Sequence, residues 1–240
     1  MSEQRQFAIE NWAAWAPGLE SAGQWQAFFD APQALADDER ADVAFMPAMQ
    51  RRRLSPLARA AFYVGHRCME GRAPCPAVYS SIYGETRRSQ TILQGIARHE
   101  DMSPTAFGLS VHNAIAGQAS IFFGNTEPMI ALAPSDQSYL TAFVDALGFL
   151  REGKSSVLVV FYEEPAPAFF APSCAQSPDF TCALALHISK PRLGSELYQL
   201  DFPANSQAPA SDLPDLLRLI RLFVDQDRQL SLGNWQLTAC

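Results

Sequence analysis

The sequence predicts an α/β fold, a layered sandwich of helices over a mixed sheet. Three observations carry that expectation. Segments with strand and helix patterning follow one another in the order β-α-β-α-α-β-α-β and then close on a pair of strands. The strand-length runs "PMIALA" (128–133) and "VLVVFY" (157–162) are apolar on both alternating faces, which suits a parallel sheet covered on both sides. Of the 240 residues, 48% are hydrophobic and 18% are charged, a balance that supports a real core and argues against disorder.

Each element has its own justification. Residues 7–9, "FAI", read as a short buried strand, and 21–29, "SAGQWQAFF", as a short helix or turn. Residues 54–70 form a helix: Ser55 caps it, Pro56 suits its first turn, and apolar residues recur at helical spacing. Residues 76–83, "PAVYSSIY", are a buried strand, and 85–100 an amphipathic helix with Ile92, Leu93 and Ile96 on one side. The stretch 110–124, "SVHNAIAGQASIFFG", is almost wholly apolar or small, with no Asp, Glu, Lys or Arg, and ends on Gly124 as a helix stop. A helix so poor in charge is expected to be buried on most sides, in a core or an oligomer interface. Strand 128–133, helix 136–153 and strand 155–164 follow. Residues 164–179 hold four prolines and no periodicity, hence a loop or flap. Residues 180–189 and 195–202 read as an antiparallel pair, 203–214 as a linker, and 215–230 as a closing amphipathic helix with Arg218, Arg221, Asp225 and Arg228 on one face. Residues 1–202 are therefore expected to form one domain, with 203–240 a linker plus a helix packed on it.

Composition narrows the function classes. The net charge of −7 disfavours wholesale nucleic-acid binding. The longest apolar run is far too short to span a membrane, and the polar start "MSEQRQFAIENW" is unlike a signal peptide. Five scattered cysteines with no C-x-x-C predict reduced thiols in a cytoplasmic protein. No P-loop, G-x-G-x-x-G or H-E-x-x-H motif is present, and the four histidines lack metal-ligand spacing, so neither a cofactor nor a metal is expected.

One local pattern concerns chemistry. "LAPSDQSYLTAF" (132–143) reads as a buried strand turning into a helix. The free N–H groups of a helix N-terminus lower a thiol's pKa and stabilise an oxyanion, so a cysteine there would be a nucleophile. None lies between Cys75 and Cys174. Ser135 or Ser138 needs a base, and the nearest imidazole in sequence is His112. Helix capping by Ser135 or Asp136 explains the same residues.

The segment "MSPTAFGLSVHNAIAGQASIFFGNTEPMIALAPSDQSYLTAFVDALGFLREGKSSVLVVFYEE" (102–164) resembles the middle of a β-ketoacyl synthase, the thiolase-fold condensing enzyme of fatty-acid and polyketide synthesis. "RRRLSPLARAAF" (51–62) is similar to that family's basic first helix, "FAIENWAAWAPG" (7–18) to its opening strand, and "FTCALALHIS…SELYQLDF" to the strand pair that closes its first half. The resemblance implies half of a thiolase-like layered fold, truncated relative to a full ketosynthase, with a mixed five-stranded sheet and helices on both faces.

It also implies a loss of catalysis. The family's nucleophilic cysteine corresponds to Asp136 or, with a one-residue insertion, Gln137. "SDQS" (135–138) is similar to the turn of chain-length factors, the inactive partners of polyketide ketosynthases. The family's two catalytic histidines and its lysine belong to a second half that has no counterpart here. The chain is similar to the short chain-length-factor-like subunits of aryl polyene pathways. That implies pairing with a catalytic β-ketoacyl synthase through residues 103–133, and contact with acyl carrier protein. Ala106 and Phe107 then match a loop that reaches the partner's acyl tunnel. Ile82 matches a gating position with Tyr83 beside it, and His112 and Asn113 fall in the same tunnel or interface region. Ordinary core or interface packing explains these residues equally well. Arg51, Arg52, Arg53, Arg87 and Arg88 are candidates for docking an acidic carrier protein, or else solvated helix faces. The alternative function is a serine acyltransferase or thioesterase using Ser110, Ser135 or Ser138 with His112, which the missing G-x-S-x-G elbow weakens.

Overall fold

A computed structural model describes residues 5–134, 138–202 and 211–240. The chain opens with β1 (Gln6–Trp15), α1 (Ala22–Asp30), a short α2 (Ala48–Arg51) and α3 (Pro56–Met69). It continues through β2 (Ala77–Ser80), α4 (Thr86–Ala97), α5 (Pro104–Gly108), α6 (Ala114–Phe123) and β3 (Met129–Leu132). Then come α7 (Ala142–Arg151), β4 (Ser156–Glu163), β5 (Cys182–Ser189), β6 (Leu197–Asp201), α8 (Asp215–Val224), β7 (Gln229–Leu232) and β8 (Trp235–Ala239).

Local chemistry sets the ends of several elements. Ser21 starts α1 with a capping box: its hydroxyl accepts from the Gln24 N–H, and the Gln24 side chain accepts from the Ser21 N–H at 3.0 Å. Ser55 caps α3 by accepting the Ala58 N–H at 2.9 Å, with Pro56 in the first turn. Gly124 ends α6 in the left-handed region at φ 60°.

One mixed sheet of eight strands runs in the order β3-β2-β4-β5-β1-β6-β8-β7. β3, β2 and β4 are parallel, and every other pairing is antiparallel. Five strands is therefore an underestimate. The closing helix stops at Val224 rather than 230, and residues 229–239 fold into a hairpin that extends β6. The cause is a strand-like alternation, Leu230, Leu232, Trp235, Leu237 and Ala239, interrupted by a turn at Gly233 with φ 56°.

Alternating side chains of β4 divide the core. Val157, Val159 and Phe161 face the layer of α1, α7 and α8. Leu158, Val160 and Tyr162 face α3 and the start of α6. On the first side Phe7 stacks on Phe143 with ring centroids 5.1 Å apart. The amphipathic face of α8 buries Leu216, Leu217, Leu219 and Ile220 there. Its polar face is tied down: Arg218 pairs with Asp215 at 3.0 Å and donates to the Ser231 carbonyl, and Arg221 pairs with Asp225 at 2.6 Å.

Two edges remain. β7 is short, and its three C-terminal residues are buried. β3 is different: all four of its residues are half-exposed, and its outer hydrogen-bonding edge has no partner among the described residues.

Candidate functional site

The C-terminal ends of the parallel strands β2, β3 and β4 meet at one corner, where open α/β sheets bind their ligands. The corner is built on a buried carboxylate. Glu163, the last residue of β4, is fully buried. Its Oε1 accepts a 2.7 Å hydrogen bond from the Tyr139 hydroxyl and another from the Ile82 N–H, while Oε2 is buried without a close partner among the described residues. Burial pushes the Glu163 carboxyl up to about 7, against the pull of the Tyr139 hydroxyl, the Ile82 N–H, the Ser81 hydroxyl and the Tyr83 N–H. Burial and the neighbouring carboxylate push the Tyr139 hydroxyl far above its ordinary range.

The loop after β2 wraps around this anchor. The Gly84 N–H donates to Ser81 Oγ at 2.7 Å, and His112 Nε2 lies 2.8 Å from the Ser81 carbonyl oxygen. Gly84 has φ 63°, and a Cβ there would stand 3.1 Å from His112 Cδ2, so both backbone and space call for glycine. Tyr83 Oη accepts from the Gln176 N–H at 3.1 Å, and Gln176 Oε1 accepts from the Asp215 N–H at 2.9 Å. The proline-rich flap thereby joins the corner to the start of α8.

Two more buried carboxylates sit beside it. Glu164 Oε1 accepts from the Arg87 N–H at 3.0 Å and from Thr86 Oγ1, and burial raises its pKa to about 7. Glu85 accepts from Ser55 Oγ at 2.7 Å and pairs with Arg88 at 3.1 Å, and burial raises its pKa as well. Arg87 is also held by Asp37 at 2.6 Å, and Arg88 donates to the Arg53 carbonyl. Both side chains are thus engaged with internal partners. Arg52 and Arg53 at the end of α2 are exposed, and Arg51 is half-exposed.

The sequence candidates separate into three groups. Ile82, Tyr83 and His112 come together at the corner. Ala106 and Phe107 lie on α5, where Phe107 is exposed, and Asn113 is exposed just before α6. Asp136, Gln137 and Ser135 lie outside the described residues. The serines offered for acyl transfer are turned elsewhere: Ser110 Oγ donates to the Phe107 carbonyl, and Ser138 Oγ accepts the Leu140 N–H. Among the described residues, no hydrogen bond joins a serine hydroxyl to His112, whose Nε2 is taken up by the Ser81 carbonyl. The thiols offer no substitute. Cys68, Cys75, Cys174 and Cys182 are all pushed up, in each case first by burial. No group of three or more His, Cys, Asp or Glu side chains that could hold a metal occurs among the described residues, and no helix there is long and apolar enough to cross a membrane.

A second feature is the face presented by residues 93–123. Among the described residues, seven of the twelve exposed large hydrophobic side chains fall there: Leu93, Ile96, Met102, Phe107, Val111, Ile121 and Phe123. Of these, Leu93, Ile96, Met102 and Phe107 line a groove of about 480 Å³ between α4 and α5. The uncharged helix α6 buries Ala114, Ile115, Ala116 and Ala119, but Ile121 is 83% exposed, so the single chain covers one side of it only. An apolar surface of this kind, beside an unpaired strand edge, is the mark of an interface.

Sequence reasoning missed Glu163, Glu164 and Tyr139. The available signal was "EE" at the end of an apolar strand, two acidic residues with no basic neighbour in sequence.

The family model described as "Beta-ketoacyl synthase, N-terminal domain" matches residues 25–236. No curated protein matches the chain. Among solved structures, a chain of "Ketosynthase (ApeO) in Complex with its Chain Length Factor (ApeC) from Xenorhabdus doucetiae" is 26% identical, with 98% of each chain covered and a TM-score of 0.81. "The ishigamide ketosynthase/chain length factor" is 14% identical over 84% of this chain and 69% of that one, with a TM-score of 0.63. The complex of a type II polyketide synthase acyl-carrier protein with its ketosynthase, AntDE:AntF, is 12% identical over 82% of this chain and 70% of that one, with a TM-score of 0.59. The last two likenesses speak for the fold: a mixed α/β, thiolase-like sheet corresponding to the N-terminal half of a ketosynthase.

Proposed function

The chain belongs to the β-ketoacyl synthase N-terminal domain family, and from that premise we propose that it is a non-catalytic, chain-length-factor-like subunit. It pairs with a catalytic β-ketoacyl synthase and shapes that partner's acyl tunnel in aryl polyene or related polyketide synthesis. The observation that carries this reading is the apolar face at residues 93–123 beside the free edge of β3. A partner strand laid along β3 satisfies its open N–H and C=O groups, and the surrounding side chains leave water together. The near-equal length of the matched chain in the ApeO–ApeC complex supports the same assignment.

The absence of any cysteine between Cys75 and Cys174 supports a non-catalytic role, because neither an amide nor a carboxylate at the turn can carry an acyl thioester. In this reading Ala106 and Phe107 reach toward the partner's tunnel, Ile82 and Tyr83 form a wall of the chain's own corner, and His112 braces it from behind. Arg52 and Arg53 are free to meet an acidic acyl carrier protein, with Arg51 beside them.

Co-expression with a ketosynthase tests the reading. A stable heterodimer that changes the length of the acyl products, from a chain that forms no carbon–carbon bond by itself, is the expected result. An acyl adduct trapped on the isolated chain, or a monomer indifferent to every ketosynthase tried, overturns it.

A further inference from the structure

Glu163 is an expensive way to fill a corner. A fully buried carboxylate loses its hydration, and among the described residues its Oε2 has no close hydrogen-bond partner. An apolar side chain would pack the end of β4 at lower cost if packing were the whole task. What the carboxylate provides is the acceptor for the Ile82 N–H, in a loop that begins where β2 has ended. The same oxygen takes the Tyr139 hydroxyl, so one atom joins the β2 loop to the turn that leads into α7. The loop is also held from two other directions, by His112 at the Ser81 carbonyl and by the flap at Tyr83. Glu163 is the hold that acts directly on the backbone of Ile82.

We infer that Glu163 is a positioning residue: it fixes the Ile82–Tyr83 wall, and through that wall it limits the length of the acyl chain the heterodimer makes. The inference rests on the chain-length-factor reading above. With the carboxylate removed, the Ile82 N–H loses its buried acceptor, the wall gives way, and longer chains are accommodated.

The test uses the complex with its ketosynthase, a carrier protein and mass spectrometry of the released acyl chains. Glu163→Ala shifts the ratio of longer to parental product by about tenfold, the scale on which a pocket wall discriminates one methylene. Total condensation changes far less than that ratio, a split that a general loss of folding does not produce. Glu163→Gln keeps an acceptor at Oε1 and restores the parental distribution. In the free chain, amide exchange at Ile82 accelerates in the alanine variant and returns toward the wild-type rate in the glutamine variant. Should Glu163→Ala fail to fold, Glu163→Asp, with its carboxylate withdrawn by one methylene, makes the same comparison with the same expected shift. An unchanged product distribution from an intact variant complex, or a glutamine variant that behaves like alanine, overturns the role of Glu163 alone. A wild-type complex that makes the same chains as the ketosynthase by itself overturns the chain-length-factor reading, and this role with it.

Discussion

At the scale of single residues, the buried carboxylates give the protein a pH signature. Glu163 binds its proton more tightly folded than unfolded, with a pKa near 7 against an ordinary 4.5. Its contribution to stability is therefore full below about pH 4.5 and is lost as the pH rises toward 7. Glu164 acts in the same direction. His187 acts in the opposite one, because burial lowers its pKa and the folded state loses stability as the pH falls through that range. The wild-type slope mixes these effects, so the difference between variant and wild type is the useful measurement. Glu163→Gln should remove a pH-dependent contribution on the order of 3 kcal/mol between pH 4.5 and 7, read from urea denaturation across that range. Gly84→Ala should cost about 1–2 kcal/mol in the same assay, since φ 63° and the His112 ring both oppose a methyl group. Such residues are poorly legible in sequence. Glu163 reaches Ile82 only because β4 lies beside β2, and no spacing in the chain announces that pairing.

At the scale of elements, Ser55 links two of them. It caps α3 and donates to Glu85 at the head of α4, so Ser55→Ala removes a cap and also leaves a buried carboxylate short of a donor. A loss of about 2 kcal/mol in unfolding free energy is expected. Ile121 behaves differently. It stands 83% exposed on α6, so Ile121→Lys should leave the circular dichroism and melting temperature of the free chain unchanged, yet weaken ketosynthase binding by about tenfold or more in a titration. The elements themselves were largely legible. Ser55, Pro56 and Gly124 mark ends that the structure keeps, and the apolar runs at 128–133 and 157–162 do form parallel strands. The closing hairpin was hidden because a helix and the start of a strand share the stretch read as 215–230, and the polar run 225–229 that separates them, with Gln226 at φ 53°, also fits the solvent face of a longer helix. The uncharged stretch at 110–124 announced an apolar surface but not its direction, which depends on the sheet beneath.

At the scale of the molecule, the exposed apolar face and the bare strand edge lie toward the β3 end of the sheet, and the burial of β7 quiets the other end. Expressed alone, the chain should self-associate in a concentration-dependent way, visible by light scattering. Co-expression with its ketosynthase should suppress this and raise the melting temperature, as mass action on the folded state requires. The strand order has one more consequence. β1 finds its neighbours far along the chain, in β5 and β6, with Ala8 opposite Ser189 on one side and Leu197 on the other. At ordinary rates of translation the nascent strand waits roughly ten to forty seconds for those neighbours to emerge. Throughout that interval "FAIENWAAW" is an unpaired ribbon open to association with other nascent chains, so the yield of folded protein should fall when translation is slowed.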